Sequence, residues 1–198
     1  VGERSDYPDP FTRGLDYLQQ VQRLSPASDL IDLDCSTRQQ IALCTWIGLH
    51  IDPINAELYA CLQVCQACFQ DWQQPPIQVF AAPFRSAYPL DGLCNLDSAP
   101  YTILIDVGRV VPQDWLGLVV HEYAHVQVNA PGHEHLFFNT MTHLCLGLGL
   151  SAPPDGAADR LCHWPPVRRR FDPMFFWMGH DWPCALPVTE YYSQVNKE

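Results

Sequence analysis

The chain has 198 residues, 47% of them hydrophobic and 17% charged, which suits one domain with a substantial core and excludes an intrinsically disordered chain. Eleven Lys and Arg against 22 Asp and Glu give a formal charge of −11, so the global field repels polyanions and argues against nucleic acid or an anionic membrane as partners. No apolar run reaches the length of about 18 residues that a membrane span needs.

DPFTRGLDYLQQVQRLSP (9–26) has an acidic start, Pro at the first helical position and apolar residues at 15, 18, 21 and 24, which predicts an amphipathic helix. STRQQIALCTWIGLH (36–50) predicts a second. INAELYACLQVCQACFQDW (54–72) predicts a third, with Leu58, Cys61, Cys65, Cys68 and Trp72 at steps of three and four on one face. Helices therefore fill the N-terminal part, 9–73. After the QQPP break, PIQVFAAP (76–83) and YTILIDV (101–107) are β-rich and separated by an Asp91-Gly92 turn, which predicts neighbours in a small mixed sheet.

PQDWLGLVVHEYAHVQVN (112–129) returns to a helical pattern, with Pro and acid in its first turn and a stop before Ala130-Pro131-Gly132. HLFFNTMTHLCLGLGL (135–150) predicts the next helix, and from 151 onward seven prolines predict an irregular wrap. The expected fold is α+β in one domain over 1–198: helices at 9–73, a core at 76–150 that carries the site, and a C-terminal wrap at 151–198.

Nine cysteines, an odd number in a chain of this size, point to reduced thiols in a cytoplasmic protein. CLQVCQAC (61–68) has a spacing that some iron–sulfur proteins use. The same residues fall on the apolar stripe of the third helix, so they are expected in the core. Cys162, His163, His180 and Cys184 offer two thiolates and two imidazoles, but their spacing matches no common zinc finger and a single metal site is expected.

That site is HEYAHVQVNAPGHEH (121–135), which holds four of the chain's eight histidines. Chance would give HExxH in about one of a hundred shuffled chains of this composition. On a helix, His121 and His125 project from one face as adjacent imidazoles, suited to tetrahedral zinc. Glu122, one position on, can act as general base without occupying the metal. A catalytic zinc takes a third protein ligand, and His133, Glu134 and His135 all follow the turn that lets the chain come back.

HEYAH, with uncharged residues before it, resembles the zincin metallopeptidases. GHEHLFFNTM resembles their SprT-like branch, in which a third His after a loop is followed by an aromatic four positions on and often Met eight positions on, here His133, Phe137 and Met141. The resemblance spans 115–145 and implies His121, His125 and His133 as zinc ligands and Glu122 as base; Glu134 stands where the branch often has Gly, which keeps His135 as the alternative third ligand. It also implies hydrolysis of peptide bonds in a peptide or protein substrate, through a water that Glu122 deprotonates beside Zn2+. In zincins an edge strand next to the metal helix aligns extended substrate, and YTILIDV is the candidate here. His143, Arg169, Tyr191 and Tyr192 are oxyanion-stabiliser candidates by residue type, but His143 lies within an apolar helix and the RRR run suits a solvated face, so none is assigned that role. The rival readings are a zinc-stabilised binding or chaperone-like protein without turnover, which has no use for Glu122, and a thiol or iron–sulfur protein built on CLQVCQAC.

Overall fold

The first helix starts at Asp9, whose carboxylate accepts from the backbone N–H groups of Phe11 and Thr12, with Pro10 at the position where a missing N–H does no harm. The computed structural model describes residues 9–31, 34–154 and 158–180; this helix, α1, spans Pro10–Leu24. A capping box between Ser36 and Gln39 opens α2, Thr37–Ala67. The sequence predicts two helices here, parted near Pro53, but the chain runs through Pro53 as one helix of 31 residues. An interior proline costs about 3 kcal/mol. Ile47, Ile54, Leu58 and Leu62 on either side of it are completely buried. Each such burial contributes about 1.5–3 kcal/mol, so packing decides. At the other end Trp72, assigned by spacing to the buried stripe, lies beyond α2 in a 3-10 turn and is 83% exposed.

α1 crosses α2 with the two backbones in contact. A Cβ on Gly14 would lie 1.8 Å from the Cys44 carbonyl oxygen, and one on Gly48 would lie 1.8 Å from that of Pro10. Only glycine permits this approach. Arg13 reinforces it by donating to the Gly48 carbonyl and pairing with Asp52.

The sheet has three strands, β1 (Ile77–Ala81), β2 (Gly92–Asn95) and β3 (Tyr101–Ile105), in the order β1-β3-β2, with β1 parallel and β2 antiparallel to β3. The fold is therefore α+β with a helix-rich N-terminal half and a small mixed sheet. β1 and β3 fall inside the predicted runs. β2 does not: GLCN is four residues long, begins at the glycine assigned to a turn, and has no β-branched residue to mark it. Its presence corrects the expectation for YTILIDV, because β3 is the central strand with a partner on each side and has no free edge to offer. Two bonds tie the helices to the sheet: Tyr17 Oη donates to the Ala81 carbonyl at 2.6 Å, and the Ala81 N–H donates to Asn55 Oδ1 at 2.9 Å.

A 3-10 turn at Pro112–Asp114 leads into α3, Trp115–Val128, which packs on β2, β3 and α2 and against α4, His135–Gly147. Trp115, Val119, Val120, Tyr123 and Ala124 are all completely buried, as suits a helix covered on most sides. Inside the proline-rich segment lie a 3-10 turn at Ala158–His163 and a short helix, α5, at Pro173–Trp177. The carboxylate of Asp106, just after β3, is completely buried and accepts from the N–H groups of Phe84 and Gly108, from Arg109 Nε and from Trp177 Nε1 at 2.8–3.0 Å. That carboxylate fastens α5 to the end of the sheet.

Cys61 and Cys65 are fully buried within α2, while Cys68 caps its end and is half-buried against the core, so helical geometry sets the spacing of the CLQVCQAC thiols; burial pushes the Cys61 thiol up to about 12. None of the eight cysteines among the described residues is in a disulfide. Among the described residues no helix is long and apolar enough to cross a membrane.

Candidate metal centre

His121 and His125 are one turn apart on α3, so the helical repeat turns both rings to one side. The helix ends at Asn129, which takes the left-handed conformation (φ 49°) that Asn tolerates better than most residues. Ala130 and Pro131 then reverse the chain, and His133 returns over the same spot. Its Nε2 lies 3.1 Å from His121 Nε2, and His121, His125 and His133 each offer a nitrogen within 4.8 Å of the other two. Tetrahedral ligands at about 2.0–2.1 Å from zinc are roughly 3.3–3.4 Å apart, so small ring movements would complete the geometry.

The outer edges of the rings are already committed. His121 Nδ1 donates to the Trp164 carbonyl at 2.8 Å and His125 Nδ1 donates to the Ala130 carbonyl at 2.9 Å. A proton fixed on Nδ1 leaves Nε2 as a lone pair aimed inward, the arrangement that metal-ligating histidines use. Burial pushes His121 down to about 4, outweighing the pull of the Trp164 carbonyl, and it also lowers His125 and His133. All three rings are thus neutral near pH 7, the protonation state a metal requires. Phe137, 1% exposed, supports them from below with ring centroids 5.2, 4.4 and 4.7 Å from those of His121, His125 and His133.

His135 is not part of this group. It is exposed at the start of α4, where its Nδ1 meets the Asn139 amide at 3.2 Å. Glu134, also exposed, precedes that helix. Three histidines can therefore hold a metal ion, and a set of neutral nitrogen donors that leaves a fourth position open fits zinc.

Glu122 follows His121 by one residue and so points about 100° away around α3, toward β2. It is 7% exposed, and burial pushes its carboxyl up to about 8. Gly92 makes room for it: a Cβ there would lie 3.0 Å from Glu122 Oε1 and 3.2 Å from its Cγ. The sequence marks Gly92 only as half of a turn; its contact with the acid at the site had no signal in spacing.

His121, Glu122, His125 and His133 open into a cleft of about 620 Å³. One wall is Pro89–Cys94 with Leu96, and the other is the segment from Cys162 to Val167 with Arg169. The second wall is anchored to the start of α3, where the Arg168 N–H and guanidinium donate to Asp114 at 2.7–2.9 Å, and Val110 pairs with Arg169 as an isolated bridge. Arg169 also reaches Asp91 at 2.7 Å and so joins the two walls. The sequence marks this segment only as part of an irregular wrap, and nothing in its proline-rich pattern tells that the surface it covers is the site.

Of the two thiols and two imidazoles whose spacing matches no common zinc finger, Cys162 and His163 line this same cleft and the His180 ring stacks on Phe175, while Cys184 falls outside the described residues, as do Tyr191 and Tyr192. His143 is away from the cleft, bonded to the Cys68 carbonyl at 2.8 Å and packed on Phe69. No protein-family model matches the sequence, and no curated protein or solved structure matches it significantly.

Proposed function

We propose that the chain is a zinc-dependent metallopeptidase of the zincin type. The observation that carries this reading is the convergence of three neutral imidazoles beside a buried carboxylate on the floor of one open cleft. His121, His125 and His133 would hold the ion; when bound, zinc would polarise a carbonyl and lower the pKa of water toward about 7.

The remaining work falls to the chain. Glu122 takes a proton from the attacking water and passes it to the leaving amine as the C–N bond breaks. Its position clear of the ligand cluster, on the lining of the same cleft, suits a proton carrier. β2 pairs with β3 on one side only and lines the cleft with its residues Gly92, Leu93 and Cys94, so its other edge is the one that would align an extended peptide by backbone bonds. Leu93, Leu118, Pro165 and Val167 give the cleft apolar flanks for substrate side chains.

The rival binding-module reading needs the three histidines but gives no part to a carboxylate kept dry beside them. The test is Glu122→Gln, which keeps shape and removes the base. Zinc content should stay at one per chain while cleavage of a mixed-sequence quenched-fluorescent peptide pool falls by at least a hundredfold. Undiminished cleavage would remove Glu122 from its role, and a zinc-loaded wild type that cleaves nothing would favour the binding module.

A further inference from the structure

Arg168, Arg169 and Arg170 form one run in the sequence, and the structure gives each a different task. Arg168 donates to Asp114 at the start of α3, and Arg170 lies over the Phe176 ring at 4.8 Å. Arg169 is the one that lines the cleft, and no other Lys or Arg stands among the described lining residues. We propose that Arg169 is a specificity-determining residue that receives a carboxylate of the substrate, so that the site takes peptides carrying a negative charge within about four residues of the bond cleaved. The proposal rests on the peptidase reading above and names its substrate class.

The guanidinium keeps donors beyond those its partner uses. Its Nε donates to Asp91 Oδ2 at 2.9 Å, and its Nη2 lies 2.7 Å from the same oxygen. A guanidinium has five N–H groups, so the Nη1 edge and the second hydrogen of Nη2 remain. Those hydrogens point side by side, the arrangement that a carboxylate accepts in two parallel bonds. The Arg169 side chain is 58% exposed and that of Asp91 10%, so the pair presents its cation and not its anion to the cleft.

Both members are fixed before a substrate arrives. The Asp91 carbonyl accepts from the Asp106 N–H at 2.8 Å, which ties this wall to the end of β3. On the other wall the Val111 N–H donates to the Arg168 carbonyl at 3.1 Å and the Arg170 N–H to the Arg109 carbonyl at 2.7 Å, which pins the backbone on either side of Arg169. A guanidinium already held by one carboxylate loses little further freedom when it takes a second.

The reacting groups are within reach. Asp91 precedes Gly92, where an added Cβ would lie 3.0 Å from Glu122 Oε1. Neighbouring Cα atoms are about 3.8 Å apart, so adding the Asp91 side chain and its contact places the guanidinium no more than about 15 Å from the Glu122 carboxylate. An extended peptide advances about 3.4 Å per residue, which sets the limit of about four residues. The formal charge of −11 repels anions at long range, so a substrate carboxylate is accepted only where a donor meets it at contact. That carboxylate is the substrate's own C-terminus or an Asp or Glu side chain.

The experiment uses the full chain, zinc-loaded, and dansyl-capped random pentapeptide pools, in which every bond lies close to the C-terminus. One pool ends in a free carboxylate and one in an amide; two further amidated pools carry a single Glu or a single Gln. Release of amine gives kcat/KM for each pool, and dansyl anisotropy gives binding to Glu122→Gln with and without Arg169→Met. Wild type should prefer the free terminus over the amide, or Glu over Gln, by at least tenfold, and the pool that shows the preference identifies the source of the carboxylate. Arg169→Met should abolish the preference, and Arg169→Lys, which keeps the charge without the planar fork, should reduce it. Asp91→Asn should keep it, whereas an ion pair that only straps the walls together predicts the same loss in Asp91→Asn as in Arg169→Met. No preference in wild type, or one that survives Arg169→Met or vanishes in Asp91→Asn, overturns the assignment. If no pool is cleaved but binding shows a preference that needs Arg169, the peptidase reading fails and the Arg169 contact stands; cleavage without preference has the opposite meaning.

Discussion

Gly92 offers a graded way to disturb the reacting geometry without replacing any group that reacts. An added Cβ would lie 3.0 Å from Glu122 Oε1 and 2.9 Å from Ile105 Cδ1, both of them far ends of side chains that can give way. Ordinary carbon–oxygen contact is about 3.3–3.5 Å, so Gly92→Ala moves the carboxylate by roughly 0.3–0.5 Å. A misplacement of about 1 Å costs on the order of a hundredfold in rate, which makes the alanine effect about three- to tenfold in kcat/KM. Gly92→Val adds two methyl groups to the same spot and should exceed tenfold. Stability should change by less than about 1.5 kcal/mol, because the contacts are with flexible groups and a strand accepts either residue. Cleavage kinetics on the peptide pool, with zinc content and urea unfolding measured on the same samples, provide the assay. A valine variant with wild-type kinetics would refute the placement of Glu122, and loss of zinc in the alanine variant would refute its separation from the ligand group.

Two further outcomes follow from contacts outside the reacting groups. Gly48→Ala places a methyl 1.8 Å from a backbone oxygen that cannot turn aside, so α1 must leave α2 and the urea midpoint should fall by the equivalent of about 4 kcal/mol or more, whereas Gly132→Ala, whose nearest neighbours are 3.8 Å away, should be neutral. Arg168 beside Asp114 lowers that carboxyl below its ordinary 3.8, so the pair's contribution is fully present above pH 4 and is lost as pH falls through the depressed value; Asp114→Asn should unfold earlier than wild type at pH 6, and the gap should close toward pH 2 in urea titrations.

The parts of this molecule that the sequence made legible are those written in local periodicity. His121 and His125 recur at one helical turn, and Pro131-Gly132 announces the reversal that returns His133, so the three-histidine cluster could be read from fifteen residues. Resemblance favours His133 over His135, and the structure places His133 with His121 and His125 while His135 is drawn into α4 as its first residue. Pro53 misled because its cost is local while the burial that outweighs it comes from the sheet and α3. β2 was missed because four residues give too short a pattern, and with it went the correct edge strand and the role of Gly92. The wall from Cys162 to Arg169 owes its position to long-range bonds with Asp114, Asp91 and His121, which leave no periodic trace.

The claim beneath everything else is that His121, His125 and His133 bind one ion together. Zinc stoichiometry and affinity, measured by competition with a chromophoric chelator for wild type, His133→Ala and His135→Ala, test it most directly. One zinc per chain is expected in wild type and in His135→Ala with equal affinity, and His133→Ala should bind at least a hundredfold more weakly. Equal affinity in all three proteins, or no zinc in wild type, would contradict the account.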